Sequence, residues 1–453
     1  MSVAPTAPSR PSTLPPAQAT TPGNYFITNY PPFAFWKPEF VPELFDALER
    51  PPETGSPEGG PPLGLYVHIP FCRKRCHFCY FKVYTDKDSS EVRAYLDALL
   101  AELAAYVKTP ALAGRRVRFI YFGGGTPSYL SVEQLRYLTE GLKRLLPWDA
   151  AEEITFEAEP GTLSEAKLHA IRALGVTRLS LGIEHFDDHV LEINGRAHRS
   201  KEIYRAYRWA QEAGFPQINI DLIAGMVEET EDRWRETVAR ATELRPDSVT
   251  VYQMEVPYNT TLYQRMKAEG RLVAPVADWE TKRRWVDHAY REFERLGYTV
   301  TSGTTVVRDP ARVKFIYRDG LFSGADILAI GVASFGHLGG VHYQNHHDFG
   351  PYVETVRAGR LPVYRALRPT PEERYIREFI LQLKLGGVSA SRFARKFGAD
   401  PRAQFAGPLA ALHAQGFLVM DGDRIGVTRE GLLQIDRLLL EFFKPEHRTG
   451  RYA

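Results

Sequence analysis

Cysteine is nearly missing from this chain: there are three in 453 residues, all between positions 72 and 79. An odd number packed so tightly excludes a disulfide framework and fits a reducing compartment. Long apolar runs are missing too, and none approaches the roughly 20 residues that a membrane-spanning helix needs. The opening stretch, MSVAPTAPSRPSTLPPAQATTPG, lacks the apolar core of a secretory signal. The compartment expected is therefore the cytoplasm. Net charge is almost absent: 57 Lys and Arg against 55 Asp and Glu leave a formal +2. No concentrated basic face is evident, so no nucleic-acid partner is expected. What remains, 44% hydrophobic and 25% charged residues, is ordinary globular composition. The length suits one large domain and a smaller one.

Residues 1–23, rich in Pro, Ala, Ser and Thr, are expected to be a disordered tail. Residues 24–62 read as an N-terminal extension and linker. Within them NYFITNYPPFAFW (24–36) is too aromatic for a free tail and is expected to pack on the body, while PPETGSPEGGPP (51–62) punctuates. From residue 63 short β-branched and aromatic runs alternate with helical patterns. Strands are expected at 65–69, 117–122, 153–158, 178–183, 217–223 and 248–254. Helices are expected near 91–107, 132–146, 164–174, 200–213 and 230–244. Such alternation implies a parallel sheet with right-handed crossovers. Six units over 63–305 predict a partial (β/α)6 barrel, with its chemistry at the C-terminal ends of the strands. Residues 306–365 contain the Gly-rich apolar run FSGADILAIGVASFGHLGG, expected to close the barrel mouth. Residues 366–453 read as helices followed by a hairpin turning at Asp421-Gly422, a small winged-helix-like domain.

The central motif is Cys72-Arg-Lys-Arg-Cys76-His-Phe-Cys79, directly after the first strand. Four thiolates saturate a cubane cluster, so three leave one iron open to another ligand. The alternatives are a zinc site with His77 as fourth ligand and three incidental core cysteines. Gly123, Gly124 and Gly125 follow the second strand, where they would let a backbone edge approach a ligand or simply make a tight turn. Glu157 sits within the third strand, where a carboxylate facing the interior needs a partner; an exposed edge position is the bland alternative. Asp221 lies inside the apolar strand QINIDLI, which favours a paired or ligand-facing role. Arg196 could fork onto a carboxylate or lie on the surface, and Tyr66 could face the cysteine loop or be a satisfied core tyrosine. His342, His346 and His347 lack the spacing of a metal motif and read as surface or substrate-facing residues.

The run YVHIPFCRKRCHFC resembles the radical S-adenosylmethionine (SAM) superfamily, and within it the oxygen-independent coproporphyrinogen III oxidase-like branch. YFGGGTPSYL, FEAEPGT, RLSLGIEHF, NGRAH and NIDLIAG follow in that family's order. The resemblance implies a [4Fe–4S] cluster on Cys72, Cys76 and Cys79. It also implies SAM contacts from Tyr66, Gly123, Gly124, Gly125, Thr126, Glu157, Glu184, Arg196 and Asp221, with Tyr66 and Glu184 nearest the chemistry. The expected partners are a small-molecule substrate and a flavodoxin- or ferredoxin-type electron donor, with the chain itself a monomer.

Two positions depart from the oxidases. Phe81 stands where they carry a further cysteine, and Glu184 replaces a glutamine. The haem-trafficking relatives show Asp at the place of Tyr80 and an HNxxYW signature, and neither is present. These departures favour radical methylation or methylene transfer to an unsaturated carbon, a reaction using two SAM molecules. Oxidative decarboxylation of a coproporphyrinogen-like tetrapyrrole is the runner-up, supported by the oxidase-like extension NYFITNYPPF. A haem-binding chaperone is the third reading.

Overall fold

The computed structural model describes residues 26–52, 61–269 and 276–449; the tail expected at 1–23 and most of the linker lie outside the described residues. Six parallel strands, β1 (Leu63–Ile69), β2 (Val117–Gly124), β3 (Glu153–Ala158), β4 (Arg178–Glu184), β5 (Gln217–Ala224) and β6 (Ser248–Gln253), lie side by side in chain order. All five helices expected between them are present, within a residue or two of their expected ends. The strands are apolar on both faces because helices cover one side and barrel contents the other. In β1, for example, only Tyr66 is not fully buried. Local signals agree with this arrangement: Asp88 with Glu91, and Ser131 with Gln134, form capping boxes at the starts of the helices Ser89–Tyr106 and Val132–Leu145.

The sheet is wider than the sequence pattern implies. Beyond β6 run the short antiparallel strands β7 (Thr299–Val300) and β8 (Thr305–Val307). On the other edge β9 (Asp326–Ile330) pairs parallel with β1, and β10 (Phe335–Leu338), β11 (Val341–Asn345) and β12 (Val363–Leu367) continue antiparallel. The segment 306–365, expected at the barrel mouth, thus also extends the sheet. Its alternation was masked by glycine and by near-continuous burial. Residues along the whole segment, among them Tyr317, Ile327, Ala333, Phe335, His342 and Tyr364, line the cavity at the barrel mouth. Among the described residues no helix is long and apolar enough to cross a membrane.

The C-terminal unit is helical, with a three-stranded antiparallel wing: β13 (Gly387–Ser389), β14 (Leu418–Asp421) and β15 (Arg424–Val427), in order β13-β15-β14. The expected hairpin turns at Gly422, which takes φ +54°. The aromatic extension completes this unit's core. Ile27 and Tyr30 are fully buried among Phe379, Phe442 and Phe443. The Tyr30 hydroxyl lies 2.7 Å from His447 Nδ1 and accepts from the Lys444 amide. The amide of Ile27 donates to Asp436 Oδ1 at 2.8 Å, and its carbonyl accepts from Lys384 Nζ at 2.8 Å. Trp36 then stacks on His342 at 5.1 Å, with the planes 9° apart, and Lys37 exchanges two backbone hydrogen bonds with Ala366 of β12. The extension thus ties the C-terminal unit to the sheet edge. Deleting residues 1–20 should leave the thermal midpoint unchanged, whereas deleting 1–40 should lower it by several degrees. Trp36→Ala alone should cost about 3 kcal/mol, read by denaturant unfolding.

Candidate active site

β1 ends at Ile69 and the chain turns at once into the cysteine loop. Four backbone bonds hold the base of that loop: Gly125 N to Ile69 O, Thr126 N to Phe71 O, Cys72 N to Tyr84 O and Tyr84 N to Pro70 O. Two more at His77, to Asn194 O and from Leu262 N, hold its tip. The loop therefore hangs between its own strand and the end of β2. Close approach there requires glycine. A Cβ on Gly125 would lie 2.9 Å from the Ile69 carbonyl and 3.1 Å from Cys72 Sγ. One on Gly124, whose φ is +109°, would lie 2.5 Å from the His68 ring. Gly123 completes the run beside Glu157. All three cysteines are free thiols. Cys72 Sγ sits 3.3 Å from Thr126 Oγ1, and Cys76 Sγ accepts from Arg196 Nη1 at 3.3 Å. Burial pushes the Cys72 thiol up to about 11 and the Cys79 thiol up to about 12. A strongly positive centre is what holds such buried sulfurs as thiolates. Thiolate chemistry, a shared loop and a glycine cradle together fit an iron–sulfur cluster. His77 does not join them, since its Nδ1 bonds the Ile193 carbonyl at 3.0 Å and its ring lies against Gly195.

The sequence-predicted acids converge on the same barrel mouth, where they line a cavity of about 1120 Å³. Glu157 faces inward from β3, accepting from Tyr121 OH at 2.5 Å and from the Gly124 amide at 3.2 Å. Asp221 on β5 accepts from Ser180 and Asn219, at 3.1 and 2.9 Å. Glu184 ends β4 at a register shift and takes φ +67°. A carboxylate held in left-handed backbone is a strained arrangement of the kind found at functional sites. Burial pushes Glu157 and Glu184 up to about 7 each, Arg196 opposing this at Glu184 while Asp221 adds to both. Asp221 is raised as well, again by burial first. Arg196 is buried, not on the surface: Nη2 lies 3.5 Å from Glu184 Oε1 and donates to the Gly182 carbonyl. It thereby links the cysteine loop to β4. Tyr66 opens into the cavity, its hydroxyl 3.0 Å from His68 Nδ1, and its ring stacks with Tyr121.

Several residues at the site escaped the sequence reading. Glu159 joins His198 Nδ1 at 2.9 Å and Arg73 at 3.1 Å. Its carboxyl is held near 2: burial would raise it, but the His198 hydrogen bond and the Arg196 and Arg73 charges prevail. The only signal was an acid in EAEP and a histidine in NGRAH, 39 residues apart by chain yet adjacent in space. Glu255, just past β6, is pushed up to about 8 by burial, with Asp436 adding to it. Among the three late histidines, His342 is buried at the cavity wall, and His347, at the cavity's exposed rim, pairs with Asp348. Among the described residues no three His, Cys, Asp or Glu side chains converge on a single metal ion.

Comparison with known proteins accords with this geometry. Residues 66–241 match the family model described as the radical SAM superfamily, and 370–433 match the HemN C-terminal domain. The heme chaperone HemW of Bacillus subtilis (strain 168) is 30% identical over 371 residues, 81% of this chain and 96% of its own. The oxygen-independent coproporphyrinogen III oxidase of Escherichia coli (strain K12) is 28% identical over 430 residues, 92% of this chain and 91% of its own. The solved structure of the Escherichia coli coproporphyrinogen III oxidase (HemN), described as a radical SAM enzyme, matches with a TM-score of 0.79 at 27% identity. That match covers 92% of this chain and 96% of the other. From the thiol loop at the head of β1 to the C-terminal wing, this chain belongs to the radical SAM superfamily, in the branch of the oxygen-independent coproporphyrinogen III oxidases and the HemW chaperones.

Proposed function

We propose that the chain is a radical SAM enzyme that oxidatively decarboxylates propionate side chains of a coproporphyrinogen-like tetrapyrrole. The observation that carries this reading is the N-terminal extension. It lies along the cavity through Phe26, Asn29, Phe33 and Trp36, and the Escherichia coli oxidase aligns over 92% of the chain against 81% for the Bacillus subtilis chaperone. The oxidase relatives favour decarboxylation over the methyl or methylene transfer that Phe81 and Glu184 suggest. Both departures nevertheless face the cavity: Phe81 packs on Tyr80 at 4.6 Å, and Glu184 lies beside Arg196.

Cys72, Cys76 and Cys79 would hold the [4Fe–4S] cluster, and Gly123, Gly124, Gly125, Thr126, Glu157, Glu184, Arg196 and Asp221, with Tyr66, would hold SAM. When bound, the reduced cluster and SAM supply a carbon-centred radical able to remove a hydrogen atom from an unactivated carbon. The chain's residues do the rest by placement. Arg196 offers a cation to a carboxylate. Glu157, oriented by Tyr121 OH, offers acceptors to sugar hydroxyls. Tyr66 and Tyr252 wall the space between this end of the cavity and the extension. On the substrate, loss of a propionate β-hydrogen is followed by release of CO₂ and transfer of one electron to an acceptor, leaving a vinyl group. An electron acceptor is therefore required in addition to the donor.

Anaerobic reconstitution should give about four irons per chain, and Cys76→Ala should lose most of them. Arg196→Ala should weaken SAM binding by about 1.5–3 kcal/mol, measured by titration of the reconstituted protein; unchanged affinity would remove Arg196 from the SAM site. Coproporphyrinogen III with methyl-deuterated SAM should release CO₂ and yield an unlabelled vinyl product. Deuterium in the product, with S-adenosylhomocysteine, would instead establish methyl transfer. Stoichiometric haem binding without SAM consumption would favour a chaperone.

A further inference from the structure

The end of the cavity beside the cysteines is rich in carboxylates, whereas the wall formed by the extension, β12 and the C-terminal unit carries two arginines, its Asp436 being paired with Lys384 at 2.5 Å. Arg377, on the helix Pro371–Leu383, is 4% exposed and lines the cavity. Its Nε donates to Asn29 Oδ1 at 2.7 Å and its Nη2 to the Leu321 carbonyl at 3.4 Å, both neutral acceptors. Among the described residues no carboxylate forms an ion pair with it, and its neighbour Glu378 is committed to Lys396 at 2.6 Å. Burial pushes this guanidinium down to about 10, and the adjacent Glu378 carboxylate opposes that only in part. Arg365 on β12 repeats the pattern. Its Nε donates to Gln344 Oε1 at 2.7 Å and its Nη1 to the Phe33 carbonyl at 2.9 Å, again without a carboxylate. Near them His342 Nε2 is buried with no hydrogen-bond partner, under the stacked Trp36. A buried guanidinium facing a cavity without an anion is costly unless a ligand brings one.

We infer that Arg377, assisted by Arg365, is a carboxylate subsite that binds the side-chain carboxylates which the reaction leaves in place. This rests on the decarboxylation reading. The charge pattern has a simple consequence for orientation. Carboxylate arms are attracted to Arg377 and Arg365 and repelled by Glu157, Glu184 and Asp221, so the ring is held by the arms that do not react. Phe33, Trp36 and Phe335 supply the apolar wall against which a ring edge can rest. The subsite draws on three parts of the chain, with Asn29 orienting Arg377 from the extension, and it is complete only when the extension is seated. A one-carbon acceptor without carboxylates would leave both guanidinium groups without an anion.

Coproporphyrin III, the aromatic form that cannot be turned over, separates binding from chemistry. Titrated by absorbance into the reconstituted protein, it should bind, and its tetramethyl ester should bind about tenfold or more weakly. Arg377→Gln and Arg365→Gln should each weaken the acid by about tenfold while leaving the ester unchanged. Iron content and thermal midpoint report folding. If Arg377→Gln fails to fold, Arg365→Gln, on a half-exposed side chain, decides the matter. Unchanged acid binding in the folded variants, or equal loss of acid and ester, overturns the subsite. A vinyl product alongside that result leaves the decarboxylation reading standing. Arginine-dependent acid binding with no vinyl product from the unaltered chain supports the subsite and overturns decarboxylation.

Discussion

Everything at the barrel mouth depends on one packing constraint: the cysteine loop must fold back onto the end of β2. The loop is pinned by the amides of Gly125 and Thr126 and by the exchange between Cys72, Tyr84 and Pro70. No residue with a Cβ fits at Gly124 or Gly125 without displacing His68 or the loop backbone. Because the loop is fixed there, Cys76 can meet Arg196, and through it β4. The thiols, the guanidinium and the three inward carboxylates thus share one frame of parallel strands, whose C-terminal ends are where such a sheet leaves backbone and side chains free for a ligand.

Charge divides the cavity into two ends. Asp221 resists the ionisation of Glu157 and Glu184, and Glu157 that of Glu184, while Arg178 offsets Glu157 and Asp221 and Arg196 offsets Glu184. The opposite wall, made by the extension, β12 and the C-terminal unit, holds Arg365 and Arg377 against neutral partners. Opposed fields of this kind orient a polyanionic ligand before any contact forms. The extension is central to the arrangement because it contributes to two cores at once. Ile27 and Tyr30 belong to the C-terminal unit, whereas Leu44 and Leu48 of the helix Val41–Leu48 belong to the barrel.

The barrel was legible because its signals are local. β3 and the helix Val132–Leu145 fall where β-branched runs and a capping box place them, since each strand needs only to be apolar and each crossover helix only amphipathic. The cysteine loop, the glycine run, Glu157 and Asp221 were legible for the same reason, each being a polar or unusual residue set in or directly after a strand. β9 to β12 were not. Asp326–Ile330 is buried on both faces and followed by a glycine-rich turn, so periodicity could not separate a strand from a cover. β7 and β8 are too short to carry a pattern. The Glu159–His198 pair and the cationic wall were hidden because their members come from distant stretches of chain.

By itself, then, the sequence determined the six βα units and the thiol spacing, since hydrophobic period and residue chemistry act over a few neighbours. It also determined which strand ends carry acids. Only the tertiary structure decided that the sheet continues past both edges of the barrel, and that Glu184 sits in left-handed backbone beside a buried Arg196. The same holds for the aromatic extension, whose course over the cavity places Asn29 on Arg377. Those outcomes depend on which surfaces meet and which charges are left without a counter-ion, and only the folded chain brings those groups together.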